Sequence, residues 1–248
     1  MTAERPAGAL EGMPTRREVK AAFGRRRRLK GHFASRRASH SYGYVLLAIG
    51  VTFVFVATAP DGAWSTSTLV LLESGTMIVA LWTSGLSRAG SWLNIGFLSL
   101  AVGLATANLI WSGQALTGVL GIVSALLAFG IAAVIAGSIL IQGEVNAQSV
   151  TGAICVYLLL GIIFMYVYGV AAALGDNPFF AQGTDGTRSL RLYFSYVTLA
   201  TLGYGDYTPK GDLGHTLAIV EALIGQLYLV TVVALLVARM NPRRGRER

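Results

Sequence analysis

Fifty-five consecutive residues, Ala89 to Gly143, contain no Asp, Glu, Lys or Arg. A helix needs only about 20 apolar residues to cross the hydrocarbon core of a bilayer. One crossing cannot consume a run of that length, whereas two can, and Ser112-Gly113-Gln114 near its middle offers a polar turn between them. With 54% apolar and only 13% charged residues among 248, the chain reads as one whose solvent is lipid rather than as a large soluble helical core.

Hydropathy divides the chain into six expected spans: Tyr44 to Ala59, Thr66 to Leu86, Trp92 to Trp111, Leu116 to Ile141, Val150 to Leu174, and His215 to Arg239. Orientation follows from the accumulation of Lys and Arg on cytoplasmic loops. Eleven of the 20 basic residues precede the first span, Arg88 lies between the second and third, and five occupy the C-terminal end, leaving Arg188, Arg191 and Lys210 outside. Both termini are therefore expected in the cytoplasm, and a plasma-membrane location is the expectation. That arrangement requires an even number of spans, in agreement with the hydropathy.

The cationic run "GRRRRLKGHF" invites a nucleic-acid reading. Next to a membrane span the stronger reading is contact with anionic headgroups, each charge near the surface contributing about 1 kcal/mol. No nucleic-acid partner is expected. The first 40 residues lack the apolar core of a cleavable signal peptide. The single cysteine, Cys155, lies in an apolar run and permits no intrachain disulfide, so it reads as a packing residue.

About 40 residues separate the fifth and sixth spans. A polar stretch, "GDNPFFAQGTDGT", reads as an extracellular loop. The amphipathic "SLRLYFSYVTLA" follows, opening on Ser189 as the expected helix cap. Twelve helical residues rise about 18 Å, too little to cross, so this segment is a candidate re-entrant helix. The third piece, "TLGYGD", is irregular backbone expected at membrane depth, where it is tolerated only if buried in protein or lining a watery path. A strand whose carbonyls all face one way replaces the water shell of a cation. It needs unusual backbone angles at alternate positions, which Gly203 and Gly205 supply. Thr201 offers a hydroxyl ligand below, and Tyr204 offers rigid packing behind.

Thr201-Leu202-Gly203-Tyr204-Gly205-Asp206 resembles the filter loop of the potassium channels, usually written T-V-G-Y-G, with Leu202 in the Val position. The resemblance covers about Val150 to Arg239. It implies that four such loops meet on an axis and that their carbonyls bind potassium, here at Thr201, Leu202, Gly203, Tyr204 and Gly205. It also implies filter support from Tyr193 and Phe194, which stand where that family has an aromatic cuff. Asp206 and Pro209 follow in the expected places, and Gly225 falls where the inner helix has its gating glycine. Val197 stands where some members carry a glutamate bonded to the filter aspartate, so that brace is expected to be missing. The chain holds one copy of the loop, so a closed ring requires three further identical subunits.

The resemblance thus implies an all-α integral membrane homotetramer, six spans per chain, with a re-entrant helix and filter between spans five and six. The expected divisions are a basic cytoplasmic segment over 1–41, a four-helix sensor-like unit over 42–143, a pore unit over 150–239 and a basic tail over 240–248. The order of spans looks like the voltage-gated architecture, yet the fourth span carries no Arg or Lys. Moving one charge through the field is worth about 2.3 kcal/mol per 100 mV, so conventional voltage gating is not expected. Nor is a cytoplasmic ligand-binding domain expected in the short tail. A gate near Val237 to Met240, the filter itself, or lipid contact at the basic ends remain as gating elements.

Two carboxylates fall inside spans, where charge is costly. Glu73 is a candidate proton-sensitive switch, an anchor between helices, or a neutral acid. Glu221, one turn before Gly225, is a candidate brace behind the pore helix or filter. Asn94 and Asn108 read as interhelical hydrogen-bond partners. All three histidines lie outside the spans, so no cluster suited to covalent chemistry is evident. The sequence therefore indicates a passive potassium channel rather than an enzyme, with potassium as the permeant ligand and no cofactor. The alternatives are a potassium uptake transporter or a weakly selective cation channel.

Overall fold

A computed structural model describes residues 41–84, 91–111, 114–142 and 147–240. The basic segment over 1–40, Arg88 and the tail beyond Met240 lie outside the described residues, as do the side chains from 236 to 240, where the gate was expected. Seven helices account for most of the described chain: α1 (Ser41–Thr58), α2 (Ala63–Ser84), α3 (Ser91–Ile110), α4 (Gln114–Gln142), α5 (Ala147–Leu174), α6 (Arg188–Leu199) and α7 (Gly211–Met240). Among the described residues, four stretches are long and apolar enough to cross a membrane, Ala63–Ser84, Gly118–Leu140, Gln148–Leu174 and Gly211–Val232. Two shorter apolar stretches, Tyr42–Thr58 and Ile95–Ile110, lie in α1 and α3.

Helix is what these sequences are driven to in lipid, because every backbone group must then be satisfied within its own segment. Hydroxyls on the helices follow the same rule. Thr52, Thr66, Thr68 and Thr76 each donate to the carbonyl four residues earlier, at 2.8 to 3.0 Å. Other polar groups link helices: Asn108 on α3 donates to Ala63 O at 3.0 Å and Ser67 Oγ at 3.1 Å on α2. Tyr42 of α1 and Ser138 of α4 share a hydrogen bond between buried hydroxyls. Cys155 is fully buried, in keeping with a packing role.

One continuous core runs through all these layers. It begins with Val45 and Ile49 of α1, passes through Leu69, Ala105, Leu127 and Ile135, and reaches Leu159 of α5 and Leu192 of α6. Only four residues separate α4 from α5. Such a link reaches at most about 3.6 Å per residue, so the two helices must be neighbours within one chain.

The short α6 is held between α5 and α1. An added Cβ on Gly161 of α5 would lie 2.6 Å from the Tyr196 ring, so glycine is what lets this ring rest on α5. The Tyr196 hydroxyl donates to Leu158 O, and its ring meets Phe53 of α1 edge-on at 5.3 Å. Sequence reasoning placed the cap of this helix at Ser189, and the structure corrects it to Thr187. Thr187 has extended backbone (φ −72°, ψ 168°), and its Oγ1 accepts from Leu190 N at 3.2 Å. Ser189 already lies inside the helix, and its hydroxyl donates across to Ala57 O of α1 at 3.1 Å.

Candidate functional site

Between α6 and α7 the chain leaves helical geometry over Thr201 to Lys210. Left-handed backbone recurs at every second residue: φ is 56° at Thr201, 57° at Gly203 and 76° at Gly205. The two glycines take this conformation without penalty, while Thr201 takes it against the preference of a β-branched residue. Sequence reasoning had not assigned that angle to Thr201, because nothing in a threonine announces it.

Alternation of this kind turns successive peptide planes the same way. The amides at its start point back to the helix: Thr201 N–H donates to Thr198 O at 2.9 Å, while Leu202 N–H and Gly203 N–H share Val197 O at 2.8 and 3.4 Å. These three amides are thereby engaged on α6. All six residues from Thr201 to Asp206 are exposed in the single chain.

The outer end of the strand is tied down by different means. Tyr193 of α6 stacks on Tyr204 with ring centroids 6.5 Å apart and planes 12° apart, and its hydroxyl donates to Asp206 Oδ2 at 2.7 Å. Val197 makes no brace with its side chain, so this phenol holds the aspartate. Gln182, from the loop before α6, donates to Asp206 O at 2.9 Å and accepts from Thr208 N–H at 3.3 Å. Phe180 forms an antiparallel bridge with Pro209, and Ala181 N–H donates to Thr208 O at 2.9 Å. The loop before α6 thus grips the end of the stretch that begins at Thr201. Gln182 was not foreseen, because its partners are backbone groups.

The Phe194 ring packs in an aromatic cluster of its own. It is buried against Tyr168 and Phe180, with centroids 5.0 and 5.3 Å away, in an aromatic cluster that also includes Phe164 and Phe179. Phe180 in turn bridges to Pro209, so the cluster connects to the end of the stretch after α6.

Behind α6, Glu221 of α7 is fully buried and accepts from Ser195 Oγ at 2.5 Å and from the Tyr168 hydroxyl of α5. Ser195 Oγ also lies 2.8 Å from Gly161 O. One carboxylate thereby joins three helices through hydroxyl groups. A buried acid demands donors, and Ser195 and Tyr168, polar positions in otherwise apolar faces, are the signal that would have found them. Gly225, one turn further, approaches α6 so closely that an added Cβ would lie 2.6 Å from Leu199 O and 2.8 Å from Leu199 Cδ1. Glu73 of α2 lies away from this site. It is 2% exposed and accepts from Tyr166 Oη of α5 at 2.7 Å, while its Oε2 has no partner.

Two substitutions separate roles here. Replacing Gly225 by Ala is expected to lower the thermal midpoint of the purified protein, because forcing a methyl against Leu199 costs about 1–3 kcal/mol per chain. If the glycine acts only as a hinge, alanine would instead favour the helix by about 1 kcal/mol and raise the midpoint. Replacing Tyr193 by Phe keeps the stacked ring and deletes the bond to Asp206. A lower thermal midpoint than that of the wild type is expected, and an unchanged midpoint would remove this bond from the support of the stretch.

An apolar helix, a short amphipathic helix ending in a stretch of alternately left-handed residues, and a second apolar helix define the class, an all-helical chain with apolar helices long enough to cross a membrane. Comparison with known proteins agrees. A family model described as ion channel matches residues 152–241. Probable potassium channel protein 2 of Methanocaldococcus jannaschii is 36% identical over 80 residues, covering 31% of this chain and 20% of that protein. The Inward rectifier potassium channel Kirbac3.1 of Paramagnetospirillum magnetotacticum is 34% identical over 85 residues, covering 34% and 27% respectively. Protein LctB of Geobacillus stearothermophilus is 28% identical over 120 residues, 46% of this chain and 89% of that protein. The chain thus spans about a fifth to a quarter of the length of the first two of these relatives. These likenesses fall on the segment 152–241, which is similar to ion channels and, in part, to proteins named as potassium channels.

Proposed function

We propose that the protein is a potassium-selective channel that conducts passively through a pore shared by four identical subunits. The observation that carries the reading is the alternation of left-handed φ at Thr201, Gly203 and Gly205, with amides bonded back to α6 and the strand exposed on the single chain. Backbone of this kind at membrane depth must be enclosed by protein or line water. One chain does not enclose it, and four copies around an axis do. The inner helix supports the same assembly, because only 11% of the apolar window of α7 is buried, against 56% for α5. Leu223 and Leu227 of α7, 53% and 64% exposed, need partners or lipid.

In this reading α1 to α5 and α7 are six spans, α6 is re-entrant, and both termini are cytoplasmic at the plasma membrane. Potassium binds at the carbonyls of Thr201, Leu202, Gly203, Tyr204 and Gly205, with the Thr201 hydroxyl as a further ligand. Tyr193, Asp206 and Gln182 hold the outer end, and Glu221 holds α6 from behind. Potassium is the permeant ligand, and no cofactor or nucleic acid takes part. The basic ends contact anionic headgroups. The fourth span carries no arginine or lysine, so opening does not follow conventional voltage sensing.

Flux from liposomes with potassium and then sodium as the only permeant cation tests the reading. Potassium flux at least tenfold above sodium flux is the expected result. Equal fluxes would make the protein a weakly selective cation channel, and a monomeric pore by mass would point to an uptake transporter.

A further inference from the structure

Away from the filter stretch lies a cavity of about 350 Å³, lined by Thr66 of α2, Gly121 of α4, Tyr166 and Gly169 of α5, and Arg188 and Arg191 of α6, among others. Pockets of about 300–1,000 Å³ hold small organic ligands. Missing side chains create the space on the α4 side. A Cβ added at Gly118 or Gly121 would meet nothing within 4 Å.

The two guanidinium groups stand at this apolar space unequally compensated. Arg188 has a carboxylate near it, Asp61 Oδ1 at 3.9 Å from Nε, and donates to Thr66 Oγ1 at 2.7 Å. Arg191 donates through one terminal nitrogen to two neutral carbonyls, Asp185 O at 3.1 Å and Gly186 O at 2.6 Å. Its Nε is buried and has no hydrogen-bond partner. The Asp185 carboxylate is engaged elsewhere, accepting from Phe179 N–H at 2.9 Å. Arg191 is half-buried and feels the Asp61 and Asp185 carboxylates without a salt bridge to either, and withdrawing a cation from water without a close anionic partner is costly. The guanidinium fork suits a phosphate or carboxylate in particular.

We propose that this cavity binds an anionic phospholipid, with the headgroup phosphate at Arg191 and Arg188 and an acyl chain in the space beside Gly121 and Gly169. The lipid comes from the outer leaflet, a placement that rests on the topology proposed above. Charge complementarity selects the head, and the glycines of α4 make room for the chain. Once bound, the lipid joins α2, α4 and α5 to the start of α6, whose far end carries the filter stretch.

Thermal unfolding of the full-length protein in neutral detergent tests this without relying on conduction, so it stands or falls independently of the channel reading. Titration with dioleoyl phosphatidylglycerol should raise the midpoint saturably, by linkage to the folded state. Dioleoyl phosphatidylcholine and inorganic phosphate should leave it unchanged. Gly121→Leu, which fills the cavity and keeps every charge, should weaken the effect at least tenfold. Arg191→Gln should do the same by deleting a charge-assisted bond, roughly a tenfold loss. An equal response to phosphatidylcholine would overturn the proposal, as would a full response to inorganic phosphate. So would an unchanged response in Gly121→Leu, which would assign the binding to the basic ends. Should Arg191→Gln fail to fold, Gly121→Leu decides alone.

Discussion

Gly203→Ala protein should purify as a tetramer and conduct no potassium. At φ 57° an alanine is left-handed, a conformation that costs an L-residue about 1–2 kcal/mol. The space around the position is open in the chain, with nothing within 4 Å of an added Cβ, so the penalty is one of backbone angle rather than of local clash. A cost of that size leaves the fold intact, since the core that runs from α1 to α6 does not include residue 203. It is large enough, repeated in each chain of the proposed tetramer, to turn the peptide planes away from the arrangement that the proposed ion binding requires. Size-exclusion chromatography with mass detection reports the assembly, and potassium-loaded liposomes report the flux. Wild-type flux from a folded Gly203→Ala tetramer would remove these carbonyls from the conduction path.

Glu221→Ala should have the largest effect on stability. The carboxylate joins Ser195 of α6 and Tyr168 of α5 to α7, and its removal leaves the Tyr168 hydroxyl buried without its acceptor. An orphaned buried donor costs about 1–3 kcal/mol, and the lost side-chain volume adds to it. Ser195 loses less, since Gly161 O lies within reach of the same hydroxyl. A midpoint many degrees below wild type is expected for the assembled protein, with Glu221→Gln in between because its amide oxygen still accepts one bond. Deleting Glu221 and both hydroxyls together, as Glu221→Leu with Ser195→Ala and Tyr168→Phe, should recover much of the loss, because no donor is then stranded. Equal midpoints for Glu221→Ala and wild type would remove this carboxylate from the support of α6.

Much of the helical layout was legible because lipid simplifies the code. An apolar run must satisfy its backbone internally, so hydropathy alone placed helices close to where they occur, Val150 to Leu174 against Ala147–Leu174 for α5. The short helix before the filter stretch was equally legible, since its amphipathic face and twelve-residue length permit little else. Its cap was misread, because Thr187 and Ser189 are both capable caps and only the direction of the chain entering α6 decides between them.

The sequence by itself determined that this chain is helical and apolar, that a loop rich in glycine interrupts it once between two apolar helices, and that the fourth helix lacks arginine and lysine. These properties are carried by residue type and spacing, which act locally. Tertiary structure alone decided which side chains meet: Thr201 in left-handed backbone, Tyr193 rather than residue 197 on Asp206, Gln182 on the strand's exit, Ser195 and Tyr168 on Glu221, and two arginines facing one cavity. Such tertiary pairings join residues as many as 132 positions apart, as between Ser189 and Ala57. They follow from how helices pack against one another, and no local pattern encodes that packing, because each partner taken alone is an ordinary residue on an ordinary helix or loop.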